Sequence, residues 1–520
     1  MSSRRSYFVI RYSLAILSGL LLVLSYPDFN LSFLAWVGLV PLFFALEGQG
    51  PGNAFTTSYA AGFVFFLGTI YWLMHVTLPG MIIVVMYLAL YFGLFGILLS
   101  FILKRSKAIP LLFFIPALWT TLEFIRSHAF SGFGWVLLGH SQSTNLPVIQ
   151  IADILGSYGV SFLVVMTNAA IFLTIKDFRR KNYSTHCLGL ALLVIFLSLS
   201  YGTLRVKNIF TGDMLRVAVV QGNIPQSQKW DAGFRQAILD KYEHLTKRAA
   251  EKRPDLIIWP ETSVPGFLES EEEIFKRVKS IVLGVRTPLF IGAPSEGEDG
   301  YYYNSALLFD AGSKITGRYD KIHLVPFGEY IPFKGVFSFV ENFAPNPIGD
   351  FRSGNDYKVF KVYSERSYSD EEKRWKARRS SGFSCLICFE DIFPELSRRF
   401  VKNGARFLVN MTNDAWFERT SAANQHKQSS VFRAVENRVN VVRAANTGVS
   451  CFIDQKGEVT DEVSEKGSNI FVDGFAVHDI ILTHTRTFYT RFGDLFAIGC
   501  AIFTVLSLAL QIFISKRRMT

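Results

Sequence analysis

Two hydrophobic patterns divide the chain. Over residues 1–204, and again over 493–514, Leu, Phe, Ile and Val run on with few interruptions, whereas 205–490 mixes apolar and polar positions in short blocks. Apolar stretches at 8–25, 31–46, 56–76, 82–103, 110–125, 157–175, 187–204 and 493–514 each read as a membrane-spanning helix. In the mixed region, apolar blocks bounded by Gly, Pro and charged residues predict strands at 215–221, 255–261, 288–293, 305–310, 405–411, 439–445, 448–454 and 470–476. Helical patterns fall at 232–251, 270–286 and 422–437. Near-continuous apolar strands alternating with helices predict a layered sheet with helices outside it, and chemistry gathered at strand ends. The expected organisation is seven transmembrane helices in 1–204, a soluble α/β domain in 205–490, and an eighth helix with a tail in 491–520.

Charge adds orientation to this plan. The chain of 520 residues carries a formal net charge of +11. Lys104, Arg105, Lys107, Lys176, Arg179, Arg180, Lys181, Lys516, Arg517 and Arg518 fall in loops on one side, while the short loops near Asp28 and Pro79 hold no Lys or Arg. The bias places both termini in the cytoplasm and the soluble domain outside. The basic excess is then a topological signal, and no nucleic-acid partner is expected. Arg4 and Arg5 precede the first apolar run as in a signal peptide. Tyr26-Pro27-Asp28 is a poor cleavage site, however, and further spans follow, so a retained anchor is expected.

Within the spans, Gly62, Gly68, Gly93 and Gly96 suit close helix contacts. Glu123 and Arg126 lie three apart at a membrane boundary, where they either serve function or satisfy each other. The mixed-charge stretch 364–380 reads as a solvated insertion.

Candidate chemistry centres on Ile387-Cys388-Phe389-Glu390-Asp391, with Pro394 close behind. Apolar residues lead into a thiol, then into carboxylates and a helix start, and the positive end of a helix dipole there favours thiolate. Cys385 and Cys388 also form a C-x-x-C. On a strand, residues three apart face opposite sides about 10 Å apart, too far for a disulfide. The other cysteines, Cys187, Cys451 and Cys500, show no framework spacing.

Two further residues complete a coherent set. Glu261 closes the apolar strand ending Trp259-Pro260-Glu261, an uncomfortable place for an unemployed charge. Lys321 lies in Tyr319-Asp320-Lys321-Ile322-His323. A carboxylate at Glu261 can take the thiol proton, and the Lys321 ammonium can favour thiolate. The same ammonium and the Phe389 backbone N–H can stabilise an oxyanion. Glu329 and Glu390 are supporting carboxylates, and His323 reads as structural. No His-rich spacing marks a metal site, so neither metal nor cofactor is expected. The stretch 327–343 places Ile331, Phe333, Val336, Phe337, Phe339 and Phe343 in a loop, which reads either as core or as a mobile lid dipping towards lipid.

Glu261, Lys321 and Cys388 together resemble the Glu-Lys-Cys triad of the nitrilase superfamily. Gln221-Gly222-Asn223-Ile224-Pro225-Gln226, Trp259-Pro260-Glu261-Thr262, His323-Leu324-Val325-Pro326-Phe327-Gly328-Glu329, Ile387-Cys388-Phe389-Glu390, Asn413-Asp414-Ala415-Trp416-Phe417 and Asn446-Thr447-Gly448 resemble the apolipoprotein N-acyltransferase family. The resemblance implies a multi-span α-helical membrane domain plus an α/β nitrilase-like αββα sandwich in the bacterial inner (cytoplasmic) membrane, with the sandwich on the periplasmic side. It implies transfer of an sn-1 acyl chain from phospholipid, typically phosphatidylethanolamine. The chain would pass through a thioester on Cys388 to the α-amino group of the N-terminal diacylglyceryl-cysteine of an apolipoprotein. Glu261 would be general base, Lys321 the oxyanion-stabilising cation and Cys388 the nucleophile. Trp230, Glu329, Phe389 and Glu390 match positions around the family's pocket, and Phe389 stands where some relatives have Tyr. Two rival readings share the triad or the fold: a membrane-anchored amidase using water as second substrate, and an inert membrane scaffold.

Overall fold

The computed structural model describes residues 2–181, 184–331, 350–364, 367–369, 374–376 and 379–517. Chain packing separates two compact units, Met1–Asn208 with Phe492–Thr520, and Ile209–Arg491.

Among the described residues, six helices are long and apolar enough to cross a membrane: Tyr7–Leu24, Leu78–Leu103, Ala108–His128, Ala152–Arg179, His186–Lys207 and Leu495–Ser515. The hydrophobic pattern predicts eight. Residues 31–46 instead form a 3₁₀ turn, Ser32–Trp36, and a separate short helix, Val40–Leu46, whose first turn holds Pro41. Proline lacks the N–H that would continue a preceding helix but suits a new first turn. Residues 56–76 belong to a helix, Pro51–Thr69, followed by a 3₁₀ turn, Tyr71–His75. Asn53, Thr56, Thr57 and Ser58 dilute its apolar face.

The helices Pro51–Thr69 and Leu78–Leu103 approach closely through glycine. A Cβ at Gly62 would fall on Phe92, and one at Gly96 on the Ala54 carbonyl and Ser58. Glu123 and Arg126 are bonded to the following loop. Arg126 donates to the carbonyls of Phe133 (3.0 Å) and Trp135 (2.8 Å). Glu123 accepts from the Leu138 N–H (2.7 Å) and Trp119 Nε1 (3.0 Å). Buried carboxylate and guanidinium groups demand such partners.

The second unit contains fourteen described strands: β1 (Asp213–Gln221), β2 (Leu256–Ile258), β3 (Leu289–Glu296), β4 (Tyr302–Phe309), β5 (Ile315–Asp320), β6 (Phe360–Ser364), β7 (Ser367–Ser369), β8 (Arg374–Lys376), β9 (Arg379–Ile387), β10 (Phe407–Thr412), β11 (Asn440–Ala445), β12 (Cys451–Ile453), β13 (Val459–Glu462) and β14 (Gly474–Leu482). Twelve of them make two six-stranded sheets, ordered β14-β1-β2-β3-β4-β5 and β13-β12-β11-β10-β9-β6; β7 and β8 pair with each other. The sheets meet face to face where Phe290 of β3 packs edge-on against Phe360 of β6 and Phe383 of β9, with ring centroids 4.8 and 5.0 Å away. Helices Arg235–Ala250 and Glu272–Val285 cover the outer face of the first sheet through Ile238, Leu239, Tyr242, Val278 and Ile281. Helices Pro394–Lys402 and Ala422–Asn437 lie against the second sheet. The result is the expected α-β-β-α layering.

The apolar pattern misses β5, β6 and β13, whose polar and half-exposed positions break the run of hydrophobic residues, and also β7 and β8, which pair within the stretch 364–380 read as a solvated insertion. The last strand begins at Gly474 and runs to Leu482, beyond the predicted 470–476. Most of the expected lid, with Phe333, Val336, Phe337, Phe339 and Phe343, lies outside the described residues, as does much of the 364–380 insertion.

Candidate active site

Parallel strands place their carboxyl ends on one edge of a sheet, and the predicted residues emerge there. Beyond β2, Trp259-Pro260-Glu261 continues buried, and Trp259 Nε1 donates to Thr246 Oγ1 at 2.9 Å. Thr262 then turns with φ 43°, a conformation that β-branched residues rarely adopt. Lys321 follows β5 directly, and Cys388 follows β9.

Glu261, Lys321 and Glu329 form one buried cluster. The Lys321 ammonium is 1 % exposed and sits 3.5 Å from Glu261 Oε1, 2.9 Å from Glu329 Oε2 and 3.0 Å from Glu329 Oε1. Asn304 of β4 donates its Nδ2 to Glu261 Oε1 and to Glu329 Oε1, both at 2.8 Å. The backbone N–H of Asn413 donates to Glu261 Oε2 at 2.9 Å, and that of Val325 to Glu329 Oε2 at 2.7 Å. Burial opposes the charge on Lys321, but Glu329 and Glu261 outweigh it and hold the ammonium well above its usual pKa. The ammonium also lies 5.4 Å from the centre of the Phe389 ring.

Cys388 has φ 55°, in the left-handed region where a side chain is strained. It opens a five-residue 3₁₀ turn, Cys388–Ile392, and the helix Pro394–Lys402 starts beyond it. The expected thiolate is therefore not the resting species. Burial, and next the charge of Glu261, push the Cys388 thiol well above the ordinary range; Lys321 and a hydrogen bond with the Thr412 hydroxyl pull the other way without prevailing. Desolvation dominates here. All five cysteines are free, and Cys385 is buried within β9.

Two polar assemblies hold the turn. Glu390 is fully buried and accepts from the backbone N–H of Ile387 (2.7 Å), Ile322 (2.8 Å) and His323 (3.0 Å), and from the Tyr319 hydroxyl (2.9 Å). One side chain thus ties the residues after Lys321 to the residue before Cys388. Burial lifts its carboxyl to about 7 despite these donors. His323 itself stacks on Phe393 at 4.2 Å, consistent with a structural role.

The second assembly, unforeseen in the sequence, underlies the Cys388 carbonyl. Asn410 Nδ2 donates to that oxygen at 2.8 Å, and His426 Nε2 lies 3.1 Å from it. His426 is held between Asp391 and Asp414, each at 3.0 Å, and Arg443 reaches Asp391 Oδ2 at 2.9 Å. Burial alone would lower the imidazole, but Asp391 and Asp414 raise it to about 9, so His426 is an imidazolium at neutral pH. Its helix, Ala422–Asn437, is legible in the pattern; its placement against Cys388 is not.

Trp230 is half-exposed, capping the short helix Gln226–Lys229. No group of three or more His, Cys, Asp or Glu able to hold a metal occurs among the described residues.

The fold and this buried set define a membrane protein that carries a carbon–nitrogen hydrolase domain: residues 216–483 match the family model described as carbon-nitrogen hydrolase. Residues 18–170 match a second model, the apolipoprotein N-acyltransferase N-terminal domain. The apolipoprotein N-acyltransferase of Geobacter metallireducens is 37% identical over 505 residues, covering 94% of this chain and 93% of that one. Its namesake in Methylococcus capsulatus is 32% identical over 459 residues, covering 85% and 86%. That of Chlorobaculum tepidum is 29% identical over 512 residues, covering 93% of each. The chain belongs to the apolipoprotein N-acyltransferase family, and the protein is an acyltransferase.

Proposed function

We propose that the protein takes an acyl chain from a membrane phospholipid, with phosphatidylethanolamine as the expected donor. It then passes the chain to the α-amino group of the N-terminal diacylglyceryl-cysteine of a lipoprotein. In this reading Glu261 takes the Cys388 proton as the sulfur attacks the ester carbonyl carbon. The oxyanion forms beside Lys321 and the Phe389 N–H. The carbonyl re-forms as the C–O bond breaks, and Glu261 returns its proton to the departing lysophospholipid oxygen. The acceptor amine then attacks the thioester, Glu261 accepts an amine proton, and that proton passes to the leaving thiolate. Glu329 orients Lys321, Glu390 fixes the turn, and Trp230 borders the substrate side.

One observation supports this division of labour above the rest. The thiol is held protonated by burial and by Glu261, so a base must act at the moment of attack, and of the two carboxylates whose charge bears on that sulfur Glu261 acts more strongly than Asp414. The proposal extends to placement: domains at 1–204, 205–490 and 491–520, in a bacterial inner membrane, with both termini cytoplasmic and the catalytic domain periplasmic.

The test is mass spectrometry of the full-length protein after incubation with phospholipid vesicles. A hydroxylamine-labile acyl mass on Cys388, discharged by a diacylated lipopeptide amine, is expected. No acyl adduct, or an adduct discharged only by water, overturns the proposal.

A further inference from the structure

The mechanism above uses one buried ammonium, but the site holds two. Lys229 closes the helix Gln226–Lys229 and is 3 % exposed. Its Nζ donates to the main-chain oxygen of Glu261 at 3.2 Å, its one hydrogen-bond acceptor among the described residues. An ammonium has three hydrogens to place, and burying one with a single neutral acceptor is costly unless charge nearby compensates it. The groups whose charges act on it are Glu261 and Cys388.

Charge balance explains why a second cation belongs here. Glu261 and Glu329 contribute two negative charges and Lys321 one positive, an anionic excess to which the buried Glu390 carboxyl, lifted to about 7 and also felt by Lys321, can only add. The neighbouring set, Asp391 and Asp414 with His426 and Arg443, balances by itself. Moving the thiol proton to Glu261 shifts negative charge from that carboxylate to sulfur with no change in the total, and an anionic excess is costly throughout that exchange in a desolvated site. A cation anchored on the Glu261 main chain reduces the excess and steadies the turn at Thr262, whose φ is 43°.

The geometry points to Lys229 as a positioning residue for the acyl transfer. It holds the Glu261 main chain, and so the carboxylate that must take the Cys388 proton, and its positive charge offsets the anionic excess of the site. This rests on the proposed thioester route. Burial brings the Lys229 ammonium down to about 8, the attraction of Glu261 and Cys388 only partly restoring it. A contribution that needs the ammonium is therefore complete below that value and lost as pH rises through it.

The test uses the full-length enzyme in detergent, as wild type, Lys229→Met and Lys229→Arg. Two rates are followed against pH: alkylation of Cys388 by iodoacetamide, and hydroxylamine-labile acylation of Cys388 by phospholipid. In Lys229→Met both rates should fall about tenfold at neutral pH, as for one unit of thiol pKa, and the two alkylation profiles should converge above about pH 8, where the wild-type ammonium is lost. The wild-type loss of acylation above about pH 8 should vanish in Lys229→Met, and Lys229→Arg should restore most of the rate. A Lys229→Met alkylation rate equal to wild type at neutral pH overturns the inference, as does acylation uniformly slow with its alkaline loss intact. Absence of acylation in wild type would instead sink the thioester route, while alkylation still reads Lys229.

Discussion

Replacing Lys321 by Met isolates what the buried ammonium contributes. At an effective dielectric of about 20, attraction to Glu261 at 3.5 Å is about 5 kcal/mol and to Glu329 at 2.9 Å about 6 kcal/mol. Desolvation of the three ions offsets much of this. Removing one partner from such a set typically costs about 3–5 kcal/mol, because the remaining charges stay buried and uncompensated. The ammonium's raised pKa makes its contribution complete below its ordinary value near 10.5, so it is fully present at neutral pH. Lys321→Met should lower the detergent melting midpoint at pH 7 by about 10 °C. Acyl transfer should fall by a factor of about 10² or more, as for loss of an oxyanion donor. The deficit in stability should shrink on acidification, as the stranded carboxylates take protons. Adding Glu329→Gln removes one stranded charge, and the double variant should regain part of the melting loss while staying inactive. The reasoning is refuted by a single variant as stable as wild type, or by a second substitution that only adds damage.

Other expectations are equally specific. Because Cys388 has φ 55°, Cys388→Gly should melt higher than Cys388→Ala, by about 1 kcal/mol of relieved strain, with both inactive; equal midpoints would argue against strain. Burial raises the Glu390 carboxyl to about 7, so the stability linked to its proton is complete below about pH 4.5 and lost as pH rises through about 7. Glu390→Gln cannot titrate and should flatten that part of the melting-against-pH curve. His426, held near 9 by Asp391 and Asp414 against its burial, stabilises fully below about pH 6.5 and loses that contribution as pH rises through about 9. His426→Gln should melt lower at neutral pH and show no further loss over that alkaline window.

Much of the architecture is visible as hydrophobic rhythm. Strands such as β1, β3 and β10 are buried on both faces, and their unbroken apolar runs announce them. The stretch 31–46 misleads because average hydrophobicity says nothing of Pro41, which divides it. Glu261, Lys321, Glu329 and Glu390 stand out because a charge beside an apolar strand needs a reason. Asn304, Asn410 and Asn413 do not, since an asparagine near a strand end is equally at home in a turn. Lys229 and His426 escape for a different reason. Their importance lies in burial and in neighbours far along the chain, and Lys229 at the end of the polar run Gln226-Ser227-Gln228 looks like any solvated lysine. The resting thiol is the clearest lesson: local sequence suggests a helix dipole favouring thiolate, but burial and Glu261 decide the outcome.

β6 and β9 run antiparallel, joined through residues 365–378, and Cys388 sits at the far end of β9 from that junction. Nine residues at about 3.3 Å each put roughly 30 Å of rigid strand between the two. The joining segment can therefore drift in length and charge through evolution without disturbing the chemistry. It is also where a fluorescent or affinity insert should be carried with the turnover number unchanged.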